Sequence, residues 1–147
     1  MGGLRSEEAL TVRAIMATGV TKVSIDDTVY SVAEMMAALG ISGAPVENKA
    51  GKVVGVISQS ALTNPRLYSG TNEPLIEDVM TKGIVAVSVD AAAIDAAIAM
   101  ADHGIHRVFV TDAKDEIVGV VSALDIVRAL ARGEHLGTAG VRSDSAA

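Results

Sequence analysis

A mixed α/β (α+β) fold assembled from two tandem copies of one small unit is what this 147-residue sequence predicts, and three observations carry that expectation. The first is an internal repeat. Shifting the chain so that residue 16 falls on residue 80 lays Met16 to Leu62 on Met80 to Ile126 without a gap. Met16, Gly19, Val23, Ser24, Asp26, Ala33, Met36, Ala37, Gly40, Ile41, Val46, Val54, Gly55, Val56 and Ser58 then all recur. The second is that within each copy the apolar period changes from helical to strand-like. The third is that glycines and polar turn residues fall at the changes of period.

Each copy reads in the same order. The repeats are assigned to 8–64 and 76–132, joined by a turn-rich linker at 65–75 and followed by a Gly, Ala and Ser-rich flexible tail at 133–147, with 141–147 disordered. A short helical lead-in ends at Met16 or Met80. Brief β-prone stretches, Lys22 to Ile25 and Ala86 to Val89, lead to Asp26 and Asp90, placed to cap the next helix. Those helices run from Thr28 to Leu39, with Val29, Val32, Met36 and Leu39 inward, and from Ala92 to His103, with Ile94, Ala97, Ile98 and Ala101 inward. Gly40 and Gly104 stop them. Strands follow at Ala44 to Val46 and Val53 to Ile57, then at Val108 to Val110 and Ile117 to Val121. The polar turns Glu47 to Gly51 and Asp112 to Asp115 are short enough for hairpins. Closing helices start at Ser58 and Ser122. A unit of about 55 residues is marginal alone, so the two copies are expected to pack sheet to sheet. Gly55 and Gly119 lie inside strands, where glycine costs about 1 kcal/mol, and a close approach by the other sheet or by a ligand explains them.

Composition narrows the function. Half the residues are hydrophobic but only 2% are aromatic, with no Trp, which disfavours a site built by stacking bases on several rings. The absence of Cys removes disulfides, thiolate metal sites and thiol nucleophiles. A formal charge of −6 opposes non-specific nucleic-acid binding but leaves room for a small anion where a few basic groups converge. No apolar run approaches the ~20 residues of a membrane span and no signal-peptide pattern opens the chain, so a cytoplasmic protein with no membrane partner is expected. Met1-Gly2-Gly3-Leu4-Arg5-Ser6 fits the short N-myristoylation pattern, and is read as a flexible leader.

The order of elements, the duplication, the lead-ins ending in Met16 and Met80, the run Gly40-Ile-Ser-Gly-Ala-Pro-Val46 and the run Gly119-Val-Val-Ser-Ala-Leu-Asp125-Ile together resemble a tandem pair of CBS domains. These units, named after cystathionine β-synthase, pair into a pseudo-twofold Bateman module. The resemblance covers roughly residues 8 to 132, and its specificity lies in the combination.

Ser122 and Asp125 form an S-x-x-D pattern at a helix start. As a capping box it satisfies orphan N–H groups with no ligand involved. An ionised carboxylate there also accepts hydrogen bonds from a ribose diol, each charge-assisted bond being about 1.5–3 kcal/mol. The resemblance implies the second role: Asp125 holds the ribose hydroxyls, and Ser122 lies near sugar and phosphate. It further implies that the base lies against backbone at Val20, Thr21, Ile41, Ser42 and Ala44, with Val120 lining the same cleft. In nucleotide-sensing members a His-Arg pair aligned with His106 and Arg107 reaches the phosphates, whereas the plain reading of these two is a pair of solvated side chains. The first copy has Ala61 in place of Asp125 and Ser42-Gly43 in place of His106-Arg107, so only one of two clefts is equipped.

His103 and His106 form H-x-x-H without a third ligand, so no metal site is expected. No catalytic serine elbow, Walker loop or Glu-x-x-His pattern is present, and no enzyme activity or catalytic cofactor is expected. The expected function is a regulatory module that binds an adenine nucleotide (AMP, ADP or ATP) between the repeats and signals to an unidentified downstream protein. The alternatives are a CBS-pair dimerisation module without a ligand, a cleft for S-adenosylmethionine or NAD, and a regulatory fragment of a fused enzyme. A homodimer is expected through helix faces around Met35, Met36, Ala97 and Met100.

Overall fold

The computed structural model describes residues 9–70 and 72–138. The myristoylation pattern at 1–6 and the segment 141–147 lie outside the described residues. In chain order the elements are α1 (Val12–Ile15), β1 (Val23–Ser24), α2 (Val29–Leu39), β2 (Gly43–Glu47), β3 (Val53–Ser58), α3 (Gln59–Leu62), a 3-10 turn (Pro65–Tyr68), α4 (Ile76–Val79), β4 (Thr81–Lys82), β5 (Ala86–Ser88), α5 (Ala93–His103), β6 (Arg107–Thr111), β7 (Ile117–Ser122) and α6 (Ala123–Ala131). No helix among them is long and apolar enough to cross a membrane.

Two compact units form, and they do not follow the sequence repeats. Among the described residues, a central unit takes Thr21 to Ile84, and a terminal unit takes 9–20 together with 85–138. The sheet of the central unit runs β1-β2-β3-β4. Its β1 and β2 are parallel and joined across α2, since parallel neighbours need a crossover. Antiparallel β2 and β3 form a hairpin, and β4 adds antiparallel to β3. The terminal unit repeats this plan with β5-β6-β7, and Ala17 bridges Val120 where the other unit has β4.

The lead-ins are therefore exchanged. In the terminal unit, α1 of the first sequence copy lies on the second, just past β5: the Val12 and Arg13 amides donate to the Ala91 and Val89 carbonyls at 2.8 and 3.1 Å. In the central unit, α4 of the second copy lies on the first, with Ile76 and Glu77 donating to Asp27 and Ile25 at 2.8 and 3.2 Å. Val12 and Ile76 are wholly buried by this arrangement. It also explains the strand glycines. A β-carbon on Gly119 would lie 2.6 Å from the Met16 sulfur and 2.9 Å from the Ala17 carbonyl oxygen. One on Gly55 would lie 2.8 Å from the Met80 sulfur and 2.5 Å from the Thr81 carbonyl oxygen. The close approach is made by the lead-in of the same unit.

Helix boundaries match the expected glycine stops, with Gly40 and Gly104 in the left-handed region at φ 68° and 62°. The expected caps do not hold. Thr28, not Asp26, caps α2, its hydroxyl accepting from the Ser31 amide at 3.1 Å. Asp26 and Asp90 instead donate their amides to the Ser24 and Ser88 hydroxyls in tight turns, both at 3.1 Å. Asp90 also pairs with Arg13 at 3.0 Å. Ala92 at the start of α5 has no capping side chain; the Ala93 and Ile94 amides are taken up by the Leu10 and Leu136 carbonyls, each at 2.8 Å.

Leu136 corrects the extent of the tail. It is 8% exposed, joins the core of the terminal unit, and its neighbour His135 accepts from the Leu10 amide at 2.8 Å. Residues 134–138 thus pack onto the start of α5, because a helix end without a side-chain cap offers amides that only backbone carbonyls can satisfy. Part of the 65–75 linker is likewise structured. Tyr68 donates its hydroxyl to the Leu62 carbonyl and its ring lies 5.1 Å from that of Tyr30.

The inward face of α2 is Val29, Val32 and Met36, while Leu39 is exposed. In α5 the buried residues are Ala93, Ala96 and Met100, one helical step from the expected set, and Ala101 is exposed. Met36 and Met100, expected on a dimer surface, are core side chains instead. The exposed large apolar residues include Tyr30, Leu39, Leu124, Val127 and Leu130.

Both hairpins use one device. Asn48 accepts from the Ala50 and Lys52 amides at 2.9 and 3.0 Å, and Asp112 accepts from Lys114 and Glu116 at the same two distances. The Glu116 amide bond, opposed by some desolvation and helped by Lys114, holds the Asp112 carboxyl below its ordinary range.

Two outcomes follow from this packing. Leu136→Ala should lower the unfolding free energy by about 2 kcal/mol, as a large-to-small core change does, in a urea titration; a silent substitution would mean that 134–138 is not part of the core. Because the carboxyl of Asp112 is lowered on folding, its contribution is present above the ordinary carboxylate range and is lost as pH falls through the folded value. Asp112→Asn, copying Asn48, should be slightly less stable than wild type at neutral pH and lose less of its stability on acidification, read from midpoints of thermal unfolding.

Candidate functional site

Of the residues expected to meet a ligand, His106, Arg107, Ser122 and Asp125 lie at one edge of the terminal unit. That edge is the end of β7, the start of α6 and the start of β6. Arg107 sits directly across the ladder from Ser122, and the Ala123 amide, one of the orphan donors of α6, is accepted by the His106 carbonyl at 2.8 Å. The structure therefore brings His106, Arg107, Ser122 and Asp125 together. His106 is exposed, and Arg107 is half-buried and engaged within the fold.

Ser122 and Asp125 form the expected capping box. The Ser122 hydroxyl accepts from the Asp125 amide at 3.2 Å, and Asp125 Oδ2 accepts from the Ser122 amide at 2.8 Å. A carboxylate held at an N-terminus is favoured by the helix dipole as well as by this bond. The cap uses Oδ2. The Arg128 guanidinium lies 3.9 Å from Oδ1, beyond hydrogen-bond length. The cap thus engages one oxygen of the carboxylate and does not require the other.

Val120 contributes differently from a backbone reader. Its amide and carbonyl are both paired with Ala17, at 3.0 and 2.9 Å, which leaves its half-buried side chain to line a surface. Val20 ends the N-terminal stretch of this unit and is half-buried.

Thr21, Ile41, Ser42 and Ala44 belong to the central unit. The Ile41 amide is consumed by the C-cap of α2, donating to the Met36 carbonyl at 3.1 Å, and the Ser42 carbonyl accepts from Gln59 at 2.8 Å. Ala44 is wholly buried as a core side chain, so what it offers a ligand is limited to backbone. This edge repeats the frame of the other unit without its charge. Ser58 caps α3 through the Ala61 amide at 3.4 Å, its hydroxyl lies 3.1 Å from that of Ser60, and Ala61 carries no carboxylate.

His103 turns back on its own helix, with Nδ1 2.9 Å from the Ala99 carbonyl. Among the described residues no group of three or more His, Cys, Asp or Glu is placed to hold a metal. Sequence reasoning missed Arg128, although its position one turn beyond Asp125 was a legible i,i+3 signal.

Comparison with known proteins gives the family. The chain is 34% identical over 110 residues to the inosine-5'-monophosphate dehydrogenase of Halobacterium salinarum and 28% identical over 114 residues to that of Methanocaldococcus jannaschii. These stretches are 75% and 78% of this chain, yet it spans only 21% and 22% of those enzymes. Among solved structures, a conserved CBS domain protein of unknown function from Thermoplasma acidophilum superposes with a TM-score of 0.75 at 28% identity, covering 85% of this chain and 71% of that one. A CBS-pair protein from Arabidopsis thaliana, solved in complex with AMP, superposes with a TM-score of 0.72 at 24% identity, covering 84% and 97%. The CBS domain family model matches residues 12–64 and again 76–132. With both repeats matched in tandem, this chain belongs to the CBS domain family.

Proposed function

We propose that this CBS pair is a regulatory module that binds an adenine nucleotide, AMP, ADP or ATP, with Asp125 as the ribose acceptor and Ser122, His106 and Arg107 beside the phosphates. The observation that carries the reading is the division of labour in the Asp125 carboxylate, where Oδ2 is fixed by the Ser122 amide at 2.8 Å and Oδ1 has the Arg128 guanidinium 3.9 Å away. A vicinal diol offers two O–H donors to such an acceptor, and because the cap holds the carboxylate in place, little side-chain entropy is lost on binding. Binding of AMP by the Arabidopsis CBS pair supports the ligand class. The match to about a fifth of two dehydrogenases supports a regulatory role, with a larger catalytic partner, fused or separate, as the listener.

Asp125→Asn separates the two jobs of this side chain, since an amide oxygen keeps the cap while the charged acceptor is lost. At a hundred times its dissociation constant a nucleotide stabilises the native state by about 2.7 kcal/mol, a shift of several degrees in the melting temperature. Wild type should show that shift with AMP, ADP or ATP, and Asp125→Asn should melt within about a degree of wild type without ligand and lose most of the response. Silence toward every adenosine compound would favour a ligand-free interaction module.

The module is further proposed to pair with a second copy through α6, where Leu124, Val127 and Leu130 are 53%, 56% and 56% exposed along one side of an amphipathic helix. Sedimentation at micromolar protein should give twice the 15.0 kDa chain mass, falling to the monomer in Val127→Glu; a monomer from the wild type would rule this pairing out.

A further inference from the structure

We infer that Arg128 sets the charge preference of the Asp125 site, selecting phosphorylated adenosine over uncharged or cationic adenosine compounds. This rests on the adenine-nucleotide reading above and names the group that discriminates within it.

The two partners are held very differently. Asp125 is 23% exposed and fixed by the cap, whereas Arg128 is 62% exposed and reaches Asp125 Oδ1 only at 3.9 Å. An exposed pair at that separation contributes little to stability, so the guanidinium leaves Oδ1 at small cost. The i,i+3 spacing keeps it on the same helix face as the carboxylate. A ribose held at Oδ1 therefore arrives where Arg128 stands and displaces it.

What happens next depends on the ligand's charge. With a neutral nucleoside, the displaced guanidinium loses its weak partner and gains none. With a phosphorylated one, it exchanges a loose carboxylate contact for phosphate oxygens, which its planar fork matches through two parallel hydrogen bonds. A sulfonium ligand brings positive charge toward a guanidinium and is disfavoured. Arg107 is a poorer candidate for this exchange, being half-buried and already engaged in the fold.

Titration calorimetry with AMP and with adenosine tests the assignment on wild type, Arg128→Gln and Arg128→Lys. Because the side chain is mostly exposed, both variants should melt as wild type does. Arg128→Gln should weaken AMP about tenfold, the loss of one charge-assisted contact. Adenosine binding should stay unchanged or tighten, since its competitor for Oδ1 is gone. Arg128→Lys should fall between, keeping the charge but not the fork. Raised salt should weaken AMP more in wild type than in Arg128→Gln. The assignment is overturned if AMP is unaffected by Arg128→Gln, or if AMP and adenosine weaken by the same factor, which would make Arg128 a general contact. A wild type that binds neither compound overturns the nucleotide reading itself, and this inference with it.

Discussion

A β-carbon at Gly119 would stand 2.6 Å from the Met16 sulfur, and one at Gly55 2.8 Å from that of Met80, with backbone oxygens of the next residues as close. Those two contacts are where an incoming lead-in closes on a strand, and much of the remaining architecture depends on them. Once Ala17 and Thr81 are paired to β7 and β3, α1 and α4 are placed so that Val12 and Ile76 drop into the cores. The helices that follow are then positioned to donate their first amides to residues brought in by the same segments, Leu10 and Pro74. Any side chain at either glycine has to push against backbone, which yields less readily than a flexible thioether.

One frame, used twice, is charged once. Ser58 and Ser122 both cap helices after equivalent hairpins, and the Gln59 and Ala123 amides meet the Ser42 and His106 carbonyls at the same 2.8 Å. The difference lies in what the frame carries. Asp125 with Arg128 gives the terminal unit an acid and a base on one helix of nine residues, whereas α3 has four residues and no charged side chain. Asn64 and Pro65 end the shorter helix and turn the chain away, so the first copy has neither the side chains nor the helix length for the same chemistry.

The repeat, the two long helices, their glycine stops and the hairpins were legible because each has a local signature. The capping box was legible for the same reason, and it located Asp125 correctly without showing which oxygen it uses. The exchange of lead-ins was hidden because it is a long-range pairing with no local pattern, and the strand glycines gave only its footprint. Asp26 was a reasonable cap on residue type, but Ser24 claims its amide and Thr28 sits nearer the helix start. In α5 the apolar period is weak, since Ala fills both faces; carrying Val29, Val32 and Met36 across the repeat would have given Ala93, Ala96 and Met100 directly. Leu136 was concealed by the small, polar residues around it, which read as tail by composition.

The exchange has a consequence for how such a protein arises. A chain with one copy would own a glycine strand with no lead-in seated on it and a lead-in whose apolar residue has no core. Two such chains would complete one another only at concentrations that favour their meeting. Duplication joins the two halves, and a tether of this kind holds its ends at an effective concentration in the millimolar range for short flexible linkers. Completion of each unit then no longer depends on how much protein the cell makes, and the first copy becomes indispensable to the second although its own edge lacks the Asp125 carboxylate.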